Sequence, residues 1–221
     1  AQGHKYCAVC CDAPPYFRKQ LSADYKSQRD APEPNALDQF KRVKDRLRAD
    51  AFLLWESQGF EADDVIASAV SHFTFALDTS ITIVSGDKDL LQLVNPMVCQ
   101  AKPKFGSEPL WEKDVIEKFG VAPSKMRDLL ALMGDSSDNV PGVPGVGPKT
   151  AAKLLSDFGD IDGLLAGLDK LPPGKIGQAI GLAFGAVASL IPTQLKLITG
   201  FVEVLAGTFR LVGSLVSGIL G

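Results

Sequence analysis

Two short apolar runs stand out in the first half of the chain. "YCAVCC" (6–11) and "SITIVS" (80–85) are rich in β-favouring residues and too short for helices. The first ends at Asp12 and the second at Gly86-Asp87-Lys88-Asp89. Short apolar runs closed by polar turns predict buried strands, and "MVCQ" (97–100) predicts another. Between them, 35–52 scatters apolar residues among charges at helical spacing. Residues 62–76 form an apolar-periodic stretch opened by Glu61, Asp63 and Asp64, as a helix N-terminus favours. Strands alternating with helices predict a parallel α/β sheet. Past about residue 110 the pattern is helical, with proline and glycine punctuation: 112–119 stops at Gly120, 123–133 runs from Pro123 to Gly134, and 150–158 stops at Gly159.

The pattern changes again after Gly181. From there to Gly221 the only charges are Lys196, Glu203 and Arg210, spaced seven apart and so on one helix face. Residues 176–195 carry no charge, a length that could span a bilayer. Pro192, Gln178, Thr193, Gln194 and scattered glycines argue instead for a helix packed on the body or on another chain. The expected domains are an α/β core over 1–110, a helical region over 111–180 and an apolar, glycine-rich tail over 181–221.

Composition adds little by itself: 46% of the residues are apolar, 22% are charged and the net charge is −3. Its distribution says more. Pro14 to Arg48 carries nine basic and five acidic residues, a net of +4 that leaves −7 on the rest. Such asymmetry points to an anionic partner or to a solvated helix face. Cys7 and Cys10 form a CxxC, but a zinc site needs a second ligand pair and the only histidines are His4 and His72, so the cysteines read as small apolar residues of a buried strand. The opening residues show no secretory pattern, and the cytoplasm is the expected location.

Four acidic clusters carry the candidate chemistry: Asp12; Glu61, Asp63 and Asp64; Asp87 and Asp89; and Asp135 with Asp138. Each could be a cap or a turn. Parallel sheets, however, bind ligands at the carboxyl ends of their strands, where Asp12, Asp87 and Asp89 emerge. If the helix after Glu61 starts at that edge, six carboxylates converge and raise one another's pKa values unless cations neutralise them. Hard divalent ions suit such oxygen donors, and two Mg²⁺ or Mn²⁺ ions about 4 Å apart would form a phosphoryl-transfer site.

The stretch "GVPGVGPKT" (142–150) resembles a phosphate-gripping P-loop but places Pro148 between Gly147 and Lys149, losing an N–H that would cradle phosphate. No nucleotide cofactor is expected. A helix–hairpin–helix fits better, with a purely structural turn as the alternative. Gly145 and Gly147 would allow close backbone approach, and the N–H groups from Thr150 onward, with Lys149, would meet a nucleic-acid phosphate.

The blocks "CCDAPPYFRKQL…DYKSQR", "GFEADDVIAS", "IVSGDKDLLQLV", "VIEKFGV" and "LLALMGDSSDNVPGVPGVGPKTAAKLL" run in order over roughly residues 6–180. In them the chain resembles the bacterial and phage 5′→3′ exonucleases of the flap-endonuclease superfamily. The resemblance implies a PIN-like parallel-sheet nuclease core followed by a helical helix–hairpin–helix region. It implies two divalent ions held by Asp12, Glu61, Asp63, Asp64, Asp87, Asp89, Asp135 and Asp138, with K⁺ as a further ion at the hairpin. It makes the basic stretch of about 14–48 a helical arch for a 5′ single strand, bearing Tyr25 and Arg29 as DNA contacts. Arg18 and Lys26 would meet the scissile phosphate. Substrates would be DNA with 5′ flaps, nicks or gaps, and RNA–DNA primers.

The family pattern also has an earlier strand with another metal-binding aspartate, whereas Ala1 stands just before the Asp12 strand, and the tail after about Ile180 departs from the family's charged helices. These departures leave two other expectations beside an active nuclease: a catalytically impaired DNA-binding fragment, or a protein that oligomerises or meets a membrane through its tail.

Overall fold

The β-branched and small apolar residues around Val9 and Ile81–Val84 favour extended backbone and cannot complete a helix before the polar turns that follow. In the computed structural model, which describes residues 6–77, 79–171 and 176–181, Ala8–Cys10 forms β1 and Ile81–Val84 forms β3. β1 pairs in parallel with β2 (Leu53–Trp55), setting Ala8 opposite Leu53 and Cys10 opposite Trp55. β3 pairs in parallel with β4 (Val98–Ala101), setting Ile81 opposite Val98 and Val84 opposite Ala101. The pairing is parallel as expected, but among the described residues it makes two two-stranded sheets rather than one.

A short α1 (Arg18–Leu21) follows the Asp12 turn, and α2 (Pro34–Ala49) opens on proline in its first turn. The predicted helix over 35–52 stops early because Ala51 adopts a left-handed φ of 59°, which turns the chain into β2. α3 (Ala62–Leu77) contacts both β1 and β3. Its Val70 joins Ile83, Leu90 and Val98 in a buried cluster, with Ile66, Ile81, Leu93 and Met97 packed around it. Trp55 of β2 stacks on Phe73 of α3, with ring centroids 5.8 Å apart. One helix therefore carries the strand ends that bear Asp12 and Asp87.

The later helices match their punctuation. α4 (Glu112–Phe119) ends at Gly120 in the left-handed conformation, and a short turn over Pro123–Lys125 leads into α5 (Met126–Met133). α6 (Pro148–Phe158) packs on α5. Met126, Leu129 and Leu132 of α5, with Ala151, Leu154 and Leu155 of α6, are buried.

By its contacts the chain divides into two compact units, Ala1–Gly142 with Val146–Ile161, and Val143–Gly145 with Asp162–Gly221. In the second unit Leu164 of α7 (Ile161–Ala166) and Ile180 are fully buried. The expected apolar tail, beyond residue 181, lies outside the described residues. Among those described, no helix is long and apolar enough to cross a membrane.

Candidate active site

Each acidic cluster is fixed by local backbone before it meets the others. Asp12 leaves the end of β1 and accepts the Ala62 amide on Oδ1 at 2.7 Å, closing the first turn of α3. Its Oδ2 accepts the Tyr16 hydroxyl at 3.1 Å. Asp64 sits in that first turn and accepts the Glu61 amide at 3.0 Å. The capping roles that the sequence allowed are thus real for Asp12 and Asp64.

Beyond β3, Asp87 accepts the Asp89 amide at 2.9 Å, a tight Asx turn. Gln100, buried on β4, donates from Nε2 to the carbonyls of Ser85 (3.0 Å) and Asp87 (2.6 Å) and pins this loop. Nothing in "MVCQ" marks Gln100 as more than the end of a strand. The loop after α5 is closed by reciprocal backbone bonds between Asp135 and Val140 of 2.9 and 2.8 Å. That closure requires Gly134, at φ 76°, to pack directly on Gly142.

These segments bring seven of the eight predicted carboxylates to one cavity of about 220 Å³: Asp12, Glu61, Asp63, Asp87, Asp89, Asp135 and Asp138, with Lys26 and Arg29 in the same wall. Asp64 is not in its lining. Arg18 instead grips it with both terminal nitrogens at 2.6 Å and reaches Glu61 at 3.0 Å. Lys26 lies 2.6 Å from Glu61 and 3.7 Å from Asp138. Arg29 lies 2.5 Å from Asp138, and Lys88 lies 3.1 Å from Asp135. The Tyr25 hydroxyl stands 2.8 Å from Glu61 and 3.1 Å from Asp138, and gives its single proton to one of them.

The electrostatics follow from burial and crowding. Burial, reinforced by Asp87, pushes the Asp63 carboxyl up to about 6. Burial, with Asp87 and Asp135 nearby, does the same for Asp89, again to about 6. Burial would raise Asp135 as well, but hydrogen bonds from Ser137 and Lys88 outweigh it and hold that carboxyl below its ordinary value. Burial and the Glu61 carboxylate drive the Tyr25 hydroxyl far above the phenol range, so it remains a donor.

The donor set suits a hard cation. Asp89 Oδ1 is buried with no hydrogen-bond partner. A lone buried carboxylate oxygen is costly unless a cation meets it. Among the described residues no three acidic, histidine or cysteine side chains stand as a finished cage, and Glu61, Asp135 and Asp138 are instead paired with lysines and arginines.

The hairpin residues fall in both units. Gly147, at φ −96°, caps α6, with Pro148 in its first turn. Lys149 is exposed and Thr150 half-buried. Gly145, at φ 82°, belongs to the second unit. A Cβ added at Gly145 or Gly147 would meet nothing within 4 Å, so neither is crowded by the protein itself.

The chain belongs to the 5′-3′ exonuclease family: residues 1–120 match its N-terminal resolvase-like domain and residues 121–189 its C-terminal SAM fold. It is 48% identical over 149 residues to a DNA polymerase I of Rhizobium leguminosarum, covering 67% of this chain and 14% of that one. It is 43% identical over 168 residues to a 5′-3′ exonuclease of Aquifex aeolicus, covering 75% of this chain and 57% of that one. The chain therefore spans less than two thirds of either relative. Its structure is similar, at a TM-score of 0.66 and 25% identity, to the bacteriophage T5 flap endonuclease in a pseudo-enzyme–product complex with DNA and metal ions, covering 87% of this chain and 73% of that one.

Proposed function

We propose that this chain hydrolyses phosphodiester bonds of DNA at 5′ ends and 5′ flaps, and of RNA–DNA primers, with two Mg²⁺ or Mn²⁺ ions. The observation that carries the reading is the cavity into which Asp12, Glu61, Asp63, Asp87, Asp89, Asp135 and Asp138 all turn. Bound there, divalent ions would neutralise the clustered charge and supply an ionised water at neutral pH. Asp63 and Asp89, whose carboxyls burial and neighbouring carboxylates raise to about 6, and the unpartnered Asp89 oxygen would be stabilised in their charged form by a cation.

The chain's own cations do the rest. Lys26 and Arg29 line the cavity, within reach of a phosphate entering it. With Arg18, they would offset the charge that builds on the phosphate oxygens as the bond breaks. Arg18 would have to exchange part of its grip on Asp64 for that contact, so we assign it to phosphate contact and to holding Asp64 in turn. Tyr25 keeps Glu61 oriented. Gly147, Lys149 and Thr150 stand at the start of α6, whose first backbone N–H groups are suited to a duplex phosphate, with a K⁺ ion as a further element of the grip.

The test uses a 5′-labelled flap duplex incubated with the chain in Mg²⁺ and in EDTA. The reading expects release of the flap in Mg²⁺ alone. Binding without cleavage in both would favour a DNA-binding module with impaired chemistry, and cleavage by an Asp87→Ala, Asp89→Ala variant would sink the assignment of the cavity.

A further inference from the structure

The basic segment and the acidic loop are physically tied. Lys26 donates its amide to the Asp138 carbonyl at 3.0 Å. Gln28 Nε2 donates to the carbonyls of Ser136 and Ser137, both at 3.0 Å. Arg29 Nε donates to the Ser137 carbonyl at 3.2 Å. From the other side, Asn139 Nδ2 donates to the Asp24 carbonyl at 2.9 Å and to Ser27 Oγ at 3.2 Å. The contacts join residues more than a hundred positions apart in the chain.

Lys26 itself sits at φ 53°, and Asn139 at φ 56°. Asparagine enters the left-handed region readily, but lysine does not. A lysine stays there only where its surroundings hold it. Here those surroundings are the hydrogen bond from the Lys26 amide to the Asp138 carbonyl, with Gln28 two residues on bonded to Ser136 and Ser137, and Asn139 bonded to Asp24 and Ser27. The same turn carries the Lys26 ammonium to Glu61.

We infer that Gln28 and Asn139 are positioning residues, which clasp segment 24–29 onto the 135–139 loop and thereby hold Lys26 at the acidic cavity. The inference rests on the nuclease reading for its consequence in catalysis, but not for the clasp itself. Neither side chain is among those lining the cavity, so both would act through the segments that they join, Lys26 included.

The test combines Gln28→Ala with Asn139→Gly, which keeps the left-handed backbone available while removing the carboxamide. In the DNA-free protein, acetylation of Lys26 by a water-soluble ester is followed by mass spectrometry, with exposed Lys149 as the internal control. Losing these bonds should speed labelling of Lys26 by about tenfold with Lys149 unchanged. On a flap duplex in Mg²⁺, kcat should fall about tenfold or more while KM for DNA moves less, because the lost contact acts on the reacting phosphate. Unchanged labelling overturns the clasp. Faster labelling with unchanged kcat overturns the positioning role. Absence of cleavage by the unsubstituted chain sinks the nuclease reading and leaves the clasp to be decided by labelling alone.

Discussion

Gly134 and Gly142 lie back to back, so tightly that a Cβ on Gly142 would overlap the backbone of Met133 and Gly134. This contact closes the loop that presents Asp135 and Asp138. Backbone cannot move aside as a flexible side chain can, so Gly142→Ala should cost roughly 2–4 kcal/mol. Thermal unfolding would register this as a fall of roughly 5–15 °C. Gly147→Ala, with open space around its Cβ and an ordinary φ of −96°, is the control and should leave the melting temperature nearly unchanged.

The start of α6 can be separated from the cavity by the same logic. Gly147→Val adds bulk where the protein has room, and Lys149→Ala removes an exposed charge. Both should weaken binding to a duplex and leave Mg²⁺ binding intact. Lys149→Ala should also lower the slope of log affinity against log salt by about one. Titrations by fluorescence anisotropy at several salt concentrations measure both effects, and an unchanged slope would remove Lys149 from the phosphate grip.

Asp63 and Asp89 set a pH dependence whose sign is fixed. An unfolded aspartate titrates near 3.9, whereas burial and neighbouring carboxylates raise both groups to about 6 in the fold. Between those values the folded chain holds more protons than the unfolded one, so the contribution of the pair falls as pH rises through about 4 to 6. In EDTA, an Asp63→Asn, Asp89→Asn variant should therefore gain on the parent in melting temperature across that window and keep the gain above it. The same variant should lose the stabilisation that Mg²⁺ gives the parent at neutral pH. A constant difference from pH 4 to 7.5 would contradict the shifts.

Arg18 and Asp64 form a two-point contact that lysine cannot copy. Arg18→Lys would trade a planar fork, 2.6 Å from each Asp64 oxygen, for one point charge. The expected loss is roughly 1–3 kcal/mol, read from urea denaturation. A double-mutant cycle with Asp64→Asn should show most of it as coupling between the two residues.

Much of this architecture was legible in the chain, and the exceptions have physical reasons. β1 and β3 announce themselves because an apolar run meets an aspartate-bearing turn, and those turns also mark the carboxylates. β2 is hidden because Leu53–Trp55 continues the apolar spacing of α2, and the break is made at Ala51, whose left-handed backbone no alanine advertises. The hairpin glycines drew notice for close approach, yet Gly134 and Gly142 are the crowded pair. Glycines look alike in a sequence, and only tertiary packing decides which has a neighbour. Gln100 and Gln28 escaped notice for a similar reason, since their partners are backbone carbonyls that no side-chain pattern encodes. Arg18, Lys26 and Arg29 were found as a charged stretch, but their pairing with Asp64, Glu61 and Asp138 depends on a turn at Lys26 that its residue type disfavours.

The bond from the Ala62 amide to Asp12 gives the chain an internal gauge. One oxygen of Asp12 secures the first turn of a sixteen-residue helix while its carboxylate faces the cavity. Anything that rotates that carboxylate tugs on a single proton, and anything that locks it in place shelters the same proton from solvent. Deuterium uptake at Ala62 should therefore slow when a divalent ion fills the acidic cavity, a readout that needs neither a substrate nor a completed reaction.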